Sequence, residues 1–554
     1  MLTKDRKLFL RFFLILSFLN QLTFIDLNAQ TIWESPKHPV NGFLSRQAQK
    51  GNINITDFIL PMSRKEISLQ LKALKDSSNK LSLIEKKELS FYLQEYAEFN
   101  PVKADSTTFL KKDQYGRWRF LTIDDSDFVL RGEPVIGIES TIGQGKSILK
   151  NSGGLQLWGH VNKNISFQAY FAEINEFGNG IDTLKQFSNE TGVVKTQNID
   201  PKSRTLNYSN FRGSISYDIG KASLSLGSDQ LQWGYGENGR LIMSDKAPSY
   251  PFIRLDYQPL KWVKFHYAHN WLQSGIIDSA RTYNKGNQIY GTERELYVSK
   301  FMATHSLNFF PINGLALSIG ESIIYSDKLN VGYMIPIMYF KAFDRSSSRY
   351  RINSGSNSQF FFQASSRNHL PGTHFYTTLF IDEIRMSEVF NSQKSRNQIG
   401  FNAGASVTDI LLPYLTIGME YTRINPFVYQ NLIPAQNYTH QNYLIGDWIG
   451  QNADRFTSWI KYNPIPRLNT KIRFDYIRKG QDGTLEDQYY AEPQPKFLSS
   501  KVDIQKQLLI EAGYELINNL NIKASYFKQA GIIRPNLQPS AVPNEFRFGL
   551  SYGF

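Results

Sequence analysis

The chain has 554 residues, of which 41% are hydrophobic, 14% aromatic and 20% charged, with a formal net charge of +13. It contains no cysteine, which excludes disulfides, thiolate metal sites and cysteine nucleophiles. Beyond the N-terminus there is no apolar run of about 18 or more residues, which excludes helical membrane spans. A chain that is polar on average yet rich in aromatics suits strands with one apolar and one polar face.

The first 29 residues have the pattern of an export signal. Lys4, Arg6 and Lys7 form a basic segment, and residues 8–18 supply an apolar stretch. Cleavage after Ala29 is expected, with a retained membrane anchor as the alternative. Because an exported protein has little access to nucleic acid, the dispersed basic residues predict a solvated surface, or contacts with acidic sugars and lipid phosphates.

Residues 30–124 are predicted to form a lead-in and a helical hairpin ahead of the main domain. Residues 30–60 show no sustained period and indicate an extended segment. Ser63 with Glu66, and Ser82 with Glu85, have capping-box spacing at two helix starts. The apolar residues at helical spacing are Ile67, Leu71 and Leu74, then Leu89, Tyr92, Leu93, Tyr96 and Phe99. This apolar face is expected to pack against the main domain, as a plug or beneath it in the periplasm, with a partner protein as the alternative.

From about Phe120 the hydrophobic period changes to two, which predicts β-strands to the end of the chain. Hairpin turns are predicted at 311–314, 463–468 and 518–521. Longer polar stretches lie at 182–206, 342–358, 386–397, 425–452 and 479–503. Short turns on one side and long loops on the other are typical of an outer-membrane barrel. At ~9–11 residues per tilted strand, residues 125–554 predict roughly 16–20 strands, with about 18 as the central value.

The last strand distinguishes a membrane barrel from a soluble all-β array. Phe546, Phe548, Leu550 and Tyr552 alternate strictly, and the sequence ends on Phe554. An aromatic residue at the end of an alternating last strand resembles the signal that the outer-membrane assembly machinery recognises. We therefore predict an all-β fold, a transmembrane antiparallel β-barrel of the cell outer membrane in contact with its lipid and lipopolysaccharide. An ordinary C-terminal strand is the alternative.

Catalytic and metal-binding patterns are weak, and we predict no cofactor, no metal site and no enzymatic activity. The glycines at 234–239 match a dinucleotide pattern, but they open no helix and belong to no βαβ unit. The sequence at 145–147 lacks the first glycine of a phosphate-binding loop. His266 and His269 fall on opposite faces of a strand and cannot share a metal. An enzyme would require a constellation that the sequence does not reveal.

The segment around residues 232–254 carries the densest chemistry. Trp233 and Tyr235 are flanked by glycines, and Arg240, Asp245 and Arg254 follow. An aromatic ring stacks on the apolar face of a sugar, while Arg and Asp bond its hydroxyl or acidic groups. These residues are therefore candidates for polysaccharide binding. A structural loop held by Trp packing and an ion pair of Asp245 with Arg254 or Arg240 is an equal alternative.

Two segments together resemble the Wzi family of capsule assembly proteins. The matching positions of the first are Gly227, Asp229, Trp233, Gly234, Gly236, Leu241, Ser244, Asp245, Ala247, Pro248, Pro251 and Arg254. Those of the second are Tyr438, His440, Leu444, Gly446, Gly450, Ala453, Asp454 and Arg455. GYMIPIMYF at 332–340 resembles a further family segment, and the chain departs from the pattern at Tyr235, Glu237 and Asn238. The resemblance extends over about residues 125–554, and it assigns no sugar-contacting residue. His440, Asp454 and Arg455 join the sugar-binding candidates because their side chains can bond hydroxyl or acidic groups.

The resemblance implies an outer-membrane barrel of about eighteen strands that holds exported capsular polysaccharide or exopolysaccharide at the cell surface without cutting it. A related branch, RemB, is associated with gliding motility, so a motility or adhesion barrel is the second hypothesis. A general diffusion porin is the third.

Overall fold

The computed structural model describes residues 31–99, 105–162, 164–194, 204–284, 293–347, 355–481, 491–499, 501–531 and 544–553. The predicted export signal and Phe554 lie outside these ranges. Within the described residues no helix has the length and apolarity needed to cross a bilayer.

Four helices occur in the described ranges: α1 Pro39–Gln49, α2 Arg64–Asp76, α3 Leu83–Glu95 and α4 Phe340–Ser347. The strands, in chain order, are β1 Ile59–Leu60, β2 Ser106–Lys112, β3 Trp118–Asp124, β4 Phe128–Gly143, β5 Lys146–Val161, β6 Ile165–Phe177, β7 Thr205–Ile219, β8 Ala222–Asp229, β9 Gln232–Trp233, β10 Tyr250–Leu260, β11 Val263–Ile277, β12 Tyr283–Asn284, β13 Glu293–Arg294, β14 Tyr297–Ile312, β15 Leu315–Ser326, β16 Asn357–Arg367, β17 Thr373–Ile384, β18 Asn397–Thr408, β19 Leu415–Ile424, β20 Thr439–His440, β21 Tyr443–Leu444, β22 Ala453–Tyr462, β23 Leu468–Gly480, β24 Val502–Ile517, β25 Leu520–Ala530 and β26 Asn544–Tyr552.

Eighteen of these strands close into one antiparallel barrel, which confirms the predicted fold and strand number. The barrel runs through β4–β8, β10, β11, β14–β19 and β22–β26. β26 pairs with β4 from Phe546↔Ile142 to Tyr552↔Ile136 and so closes it. The β2–β3 hairpin pairs with the earlier part of β4, where β26 has ended.

The two ends of the barrel differ in the length of their connections. One end carries short turns, including those predicted after β14, β22 and β24, and we call it the short-turn mouth. The other carries the long connections, including 178–204, 327–356, 385–396, 425–452 and 481–501, and we call it the long-loop mouth. The two-residue turn between β4 and β5 is the exception at that mouth. The predicted asymmetry of an outer-membrane barrel is therefore present.

The outer wall is apolar because alternate side chains of each strand point away from the lumen. On β26, Phe546, Phe548 and Leu550 are 53%, 57% and 45% exposed. Glu545, which alternates with them and points inward, is buried. This alternation follows the predicted pattern of the last strand.

The prediction of an extended lead-in over 30–60 was wrong, because α1 lies within it. His38 caps the helix by accepting from the N–H of Val40, and Pro39 occupies the first helical position, where its missing N–H is harmless. Val40, Phe43 and Leu44 are buried on one face. Neither a His cap nor so short an apolar stripe stands out in the sequence.

The two predicted helices are present with their caps. Ser63 accepts from the N–H of Glu66, and Ser82 and Glu85 form a reciprocal capping box. The apolar faces of α1, α2 and α3 meet in one buried cluster that includes Leu44, Leu71 and other aliphatic residues.

These helices lie across the short-turn mouth. Arg46 of α1 donates to Asp409 at 2.6 Å, and Gln49 donates to the carbonyl of Gly372 at 2.8 Å. The N–H of Arg467 donates to Glu88 of α3 at 3.1 Å. Each partner belongs to a different short turn, so the helices are attached around the rim rather than at one point.

Candidate functional site

A buried apolar cluster crosses the lumen, and we call it the lumen core. Its members come from Phe58 and Ile59, from the 230–249 loop, from the 425–452 loop and from inward-facing strand residues such as Phe361. Trp233 lies at its centre with 1% of its surface exposed. In the register of β1 and β9, Ile59 pairs with Trp233. The Trp233 ring therefore packs in a core and presents no free face to a sugar.

Two glycines allow the 230–249 loop to fold this tightly. A Cβ at Gly236 would lie 1.7 Å from the carbonyl oxygen of Gly239, and one at Gly239 would lie 2.5 Å from the Asp447 carboxylate. The loop joins the antiparallel strands β8 and β10. Gly236 thus allows the loop backbone to fold closely on itself, and Gly239 leaves room for the Asp447 side chain of the second lumen loop.

Tyr235 connects the loop to the N-terminal segment through a buried charge. Its hydroxyl donates to Asp57, and Arg367 of β16 donates to both oxygens of Asp57 at 2.9 and 2.7 Å. Although burial raises the pKa of Asp57, the Arg367 charge holds that pKa below its ordinary value. The Tyr235 ring also lies 5.2 Å from that of Phe58 and 5.3 Å from that of Tyr376. Tyr235 is therefore a structural link.

Arg455 holds the second lumen loop. It is fully buried and donates to both carboxylate oxygens of Asp447, at 2.9 and 2.8 Å. Glu420 lies 3.5 Å from the same guanidinium and accepts from the N–H of Glu237 at 3.0 Å. Through Arg455 the two loops and the barrel wall share one hydrogen-bond network, as buried ionic groups require.

Asp454 points the other way, although it is adjacent to Arg455. Tyr421 donates to it at 2.9 Å and Arg478 at 3.0 Å, on the outer face of the wall. Successive residues of a strand occupy opposite faces. The structure therefore does not bring these two candidates together.

His440 and Arg254 are also engaged elsewhere. The Nδ1 of His440 accepts from the N–H of Gln273 at 3.0 Å, and burial together with the nearby Lys300 charge lowers the pKa of His440 to about 4. Arg254 donates to Asp256 at 2.7 Å and its guanidinium lies 3.8 Å from the centre of the Trp33 ring. Arg254 lines a cavity of about 640 Å³ at the short-turn mouth, between the helices and the wall.

Arg240 and Asp245 are the two candidates that stay partly open. The Asp245 side chain is 33% exposed and lies 3.2 Å from Lys37, which is 68% exposed. Although burial raises the pKa of Asp245, the charges of Lys37 and Arg240 bring that pKa below its ordinary value. Arg240 donates to the carbonyl of Gly234. Desolvation lowers the pKa of Arg240, and this effect outweighs the nearby charge of Asp245, which raises that pKa. Lys37, Arg240 and Asp245 form what we call the open charged corner.

The lumen wall formed by β22, β23 and β26 carries further inward charges. Lys461 lies 2.7 Å from Glu237, and Lys471 lies 3.8 Å from it. Arg547 lies 3.1 Å from Glu190, and their side chains are 32% and 37% exposed. This side of the lumen is lined by partly exposed ion pairs, in contrast to the side occupied by the apolar lumen core.

Sequence reasoning missed Lys37, Asp57, Arg367, Glu420 and Asp447. Lys37, Asp57 and Arg367 have partners far away in sequence, so no local motif marks them. Asp447 bonds Arg455 eight residues later, but it lies in an irregular loop whose path the sequence does not show. The strict alternation of the strands would have placed Arg367 and Glu420 on the inner face of the wall. Among the described residues, no group of His, Cys, Asp and Glu side chains could hold a metal ion.

The sequence profile of the capsule assembly protein Wzi family matches residues 186–529. Among curated proteins, the sequence comparison gave no match. The outer-membrane protein Wzi of Escherichia coli, described as a carbohydrate-binding β-barrel involved in group 1 capsule assembly, matches 95% of this chain and 100% of its own, with 12% identity and a TM-score of 0.56. The structure of Pseudomonas aeruginosa OpdK with vanillate matches 76% of this chain and 98% of its own, with 8% identity and a TM-score of 0.44. OprD of the same organism covers 77% and 94%, at 11% identity and a TM-score of 0.40.

The likeness to Escherichia coli Wzi covers nearly the whole chain and concerns the fold. The profile match covers more than half of the sequence, including both lumen loops. The resemblance seen in the two loop segments is thereby confirmed, and the chain belongs to the capsule assembly protein Wzi family.

Proposed function

We propose that the protein is a non-enzymatic outer-membrane barrel that binds surface polysaccharide and helps to assemble or attach capsule or exopolysaccharide. Membership of the Wzi family is the observation that carries this proposal. The fold shared with a barrel described as carbohydrate-binding supports it. We further propose export by the signal at residues 1–29 with cleavage after Ala29, insertion by the outer-membrane assembly machinery, and contact with lipopolysaccharide.

Within this function, the open charged corner is the best candidate for sugar contact. Arg240 and Asp245 belong to the predicted set and retain solvent exposure, and Lys37 adds a third charge beside them. A guanidinium and a carboxylate together can bond the hydroxyl and acidic groups of a sugar. Trp233, Tyr235, Arg254, His440, Asp454 and Arg455 then support binding by holding the two loops and the wall in place.

The lumen core argues against a general diffusion porin. A barrel of this size has an aqueous lumen unless something fills it. Here two loops and the N-terminal segment meet across the lumen in a continuous buried cluster. A polysaccharide chain can therefore bind at the surface of this filling, whereas free passage of solutes is not expected.

Binding by the purified barrel tests the proposal. Immobilised capsular or exopolysaccharide from the source cells is expected to retain the protein, and Asp245→Asn together with Arg240→Gln to weaken retention at least tenfold. Asp127→Asn, an exposed aspartate in a short turn, is the matched control. Absence of binding by the unaltered protein would refute the function, whereas binding that survives both substitutions would refute only the site.

Deletion of the gene separates the two cellular roles. Capsule attachment predicts that polysaccharide is shed into the medium while spreading is retained. A RemB-like motility role predicts lost spreading with a normal amount of cell-bound polysaccharide.

A further inference from the structure

The connection between β15 and β16 folds back over the outside of the barrel. On β11, β14 and β15 the lumen-facing Ala268, Met302 and Ile324 belong to the lumen core. Their neighbours in the alternation, which point outward, are Tyr267, Phe301, Ala303, Ile323 and Tyr325. All five are buried, because they pack against Tyr333, Met338, Phe340 and Phe343 of the connection. We call residues 329–347 the outer strap.

The strap reaches the middle of the wall. His305 and Glu321 face each other in the register of β14 and β15, and Glu321 is near the centre of the 12-residue strand β15. The His305 ring donates to the carbonyl of Pro336 at 3.0 Å. The N–H groups of Phe340 and Lys341 donate to the Glu321 carboxylate at 2.9 and 2.6 Å. With a rise of about 3.4 Å per residue and a tilt of about 40°, these contacts lie roughly 13 Å below the end of β15.

The backbone of the strap is suited to an apolar environment. The N–H groups of Tyr333, Ile335 and Met338 donate to carbonyls within the strap, and Pro336 has no N–H. The carbonyl of Tyr333 accepts from the hydroxyl of Tyr267 at 2.8 Å. Since each unsatisfied backbone group in hydrocarbon costs several kcal/mol, these hydrogen bonds and the packing of the strap against the wall lower the cost of placing its irregular backbone there.

The other face of the strap is apolar and uncovered along residues 331–339, whereas the exposed Arg345 lies near the end of the strap. Val331, Ile335, Ile337 and Tyr339 are 68%, 43%, 85% and 56% exposed. Lower on the same strands, outward-facing residues such as Leu317 and Ile319 are exposed in the same direction, at 40% and 45%. The strap therefore continues the lipid-facing apolar band of the barrel. It also covers His305 and Glu321, which would otherwise face hydrocarbon.

We propose that the outer strap is embedded in the leaflet on the long-loop side of the membrane, with Val331, Ile335, Ile337 and Tyr339 bound against lipid acyl chains. The inference is independent of polysaccharide binding. It removes one long connection from the surface that can meet polysaccharide and makes it a lipid-binding element. It also explains why a charged residue such as Glu321 is tolerated on an outward face, since the first turn of α4 satisfies its carboxylate.

Cysteine labelling can test this directly because the chain has no cysteine. Ile337→Cys is compared with Ser392→Cys, an exposed position in another long connection. In proteoliposomes a water-soluble maleimide is expected to label Ser392→Cys readily and Ile337→Cys at least tenfold more slowly. An environment-sensitive fluorophore attached at position 337 in detergent is expected to be quenched after reconstitution into lipids with brominated acyl chains. Heat-modifiable migration checks that each variant is folded.

Equal labelling rates at both positions, or fluorescence indifferent to brominated lipid, would overturn the proposal. Protection of position 337 in native membranes but not in proteoliposomes would also overturn it, since a partner protein would then cover the strap. Val331→Cys repeats the test should Ile337→Cys fail to fold.

Discussion

Replacing Asp57 by Asn should open the contact between the N-terminal segment and the 230–249 loop. The Asp57 and Arg367 side chains are 13% and 6% exposed, and their double hydrogen bond lies beside Tyr235. Removing one partner of a buried ion pair costs about 3–5 kcal/mol. Because asparagine can still accept one bond, we expect the lower figure, about 3 kcal/mol. At about 1.36 kcal/mol per tenfold, that is roughly a 100-fold larger population of the open loop.

Hydrogen exchange measures this opening. The N–H of Gly234 donates to the carbonyl of Phe58 at 2.8 Å, so its exchange reports on the contact between the two segments. We expect roughly 100-fold faster exchange in Asp57→Asn, with Asp127→Asn as the unchanged control. Adding Arg367→Gln should restore part of the protection, because two neutral amides can pair. A change below about threefold in the single variant, or strict additivity in the double variant, would refute the reasoning.

Three further predictions concern the helices, the loop and the lumen. Burial raises the pKa of Glu85, but its bonds from Lys50, the Ser82 N–H, Gln47 and Arg46 outweigh burial and lower that pKa from 4.5 to about 2. A depressed carboxyl pKa stabilises the fold above the ordinary value, so this contribution is complete above about pH 4.5 and is lost as the pH falls toward 2. The helical circular-dichroism signal should fall as the pH is lowered through that window. In Glu85→Gln this pH dependence of the signal should be absent. Trp233→Ala should destabilise the lumen loop by about 3–5 kcal/mol and abolish glycan retention, because the loop becomes disordered. Trp233→Phe should keep most of the retention. Equal loss of retention in both variants would indicate that Trp233 contacts the sugar directly. In planar bilayers the protein should show no open-pore steps, and deletion of residues 231–248 should produce them; open steps before deletion would contradict a filled lumen.

Local patterns in the sequence were sufficient for the elements whose determinants are local. The capping residues Ser63 and Ser82 marked two helices, and period-two alternation marked the barrel strands. The helix α1 was missed because its cap is a histidine and its interior contains Asn41 and Gly42, which are weak helix formers. Its formation depends on burial against α2 and α3, which no window of the sequence contains.

The candidate site was less accessible to sequence reasoning. Resemblance selected the loops that meet in the lumen, but it could not separate residues that hold the loops from residues that face water. Tyr235, for example, meets Asp57 and Arg367 across separations of 178 and 132 residues. Asp454 and Arg455, neighbours in the chain, bond different partners because they occupy opposite faces of one strand.

The sequence by itself determined the barrel, its approximate strand number, its asymmetric ends and its family, because these follow from periodicity and local motif. The tertiary structure alone decided that two loops meet across the lumen and that Arg254, Asp454 and Arg455 are buried in ion pairs. It also decided that Arg240 and Asp245 stay open beside Lys37, and that one long connection lies on the outer wall. These outcomes depend on which distant segments meet. A loop's direction at the end of a strand, into the lumen or over the wall, depends on which distant surface can bury its apolar residues, and the loop's own sequence does not show that surface.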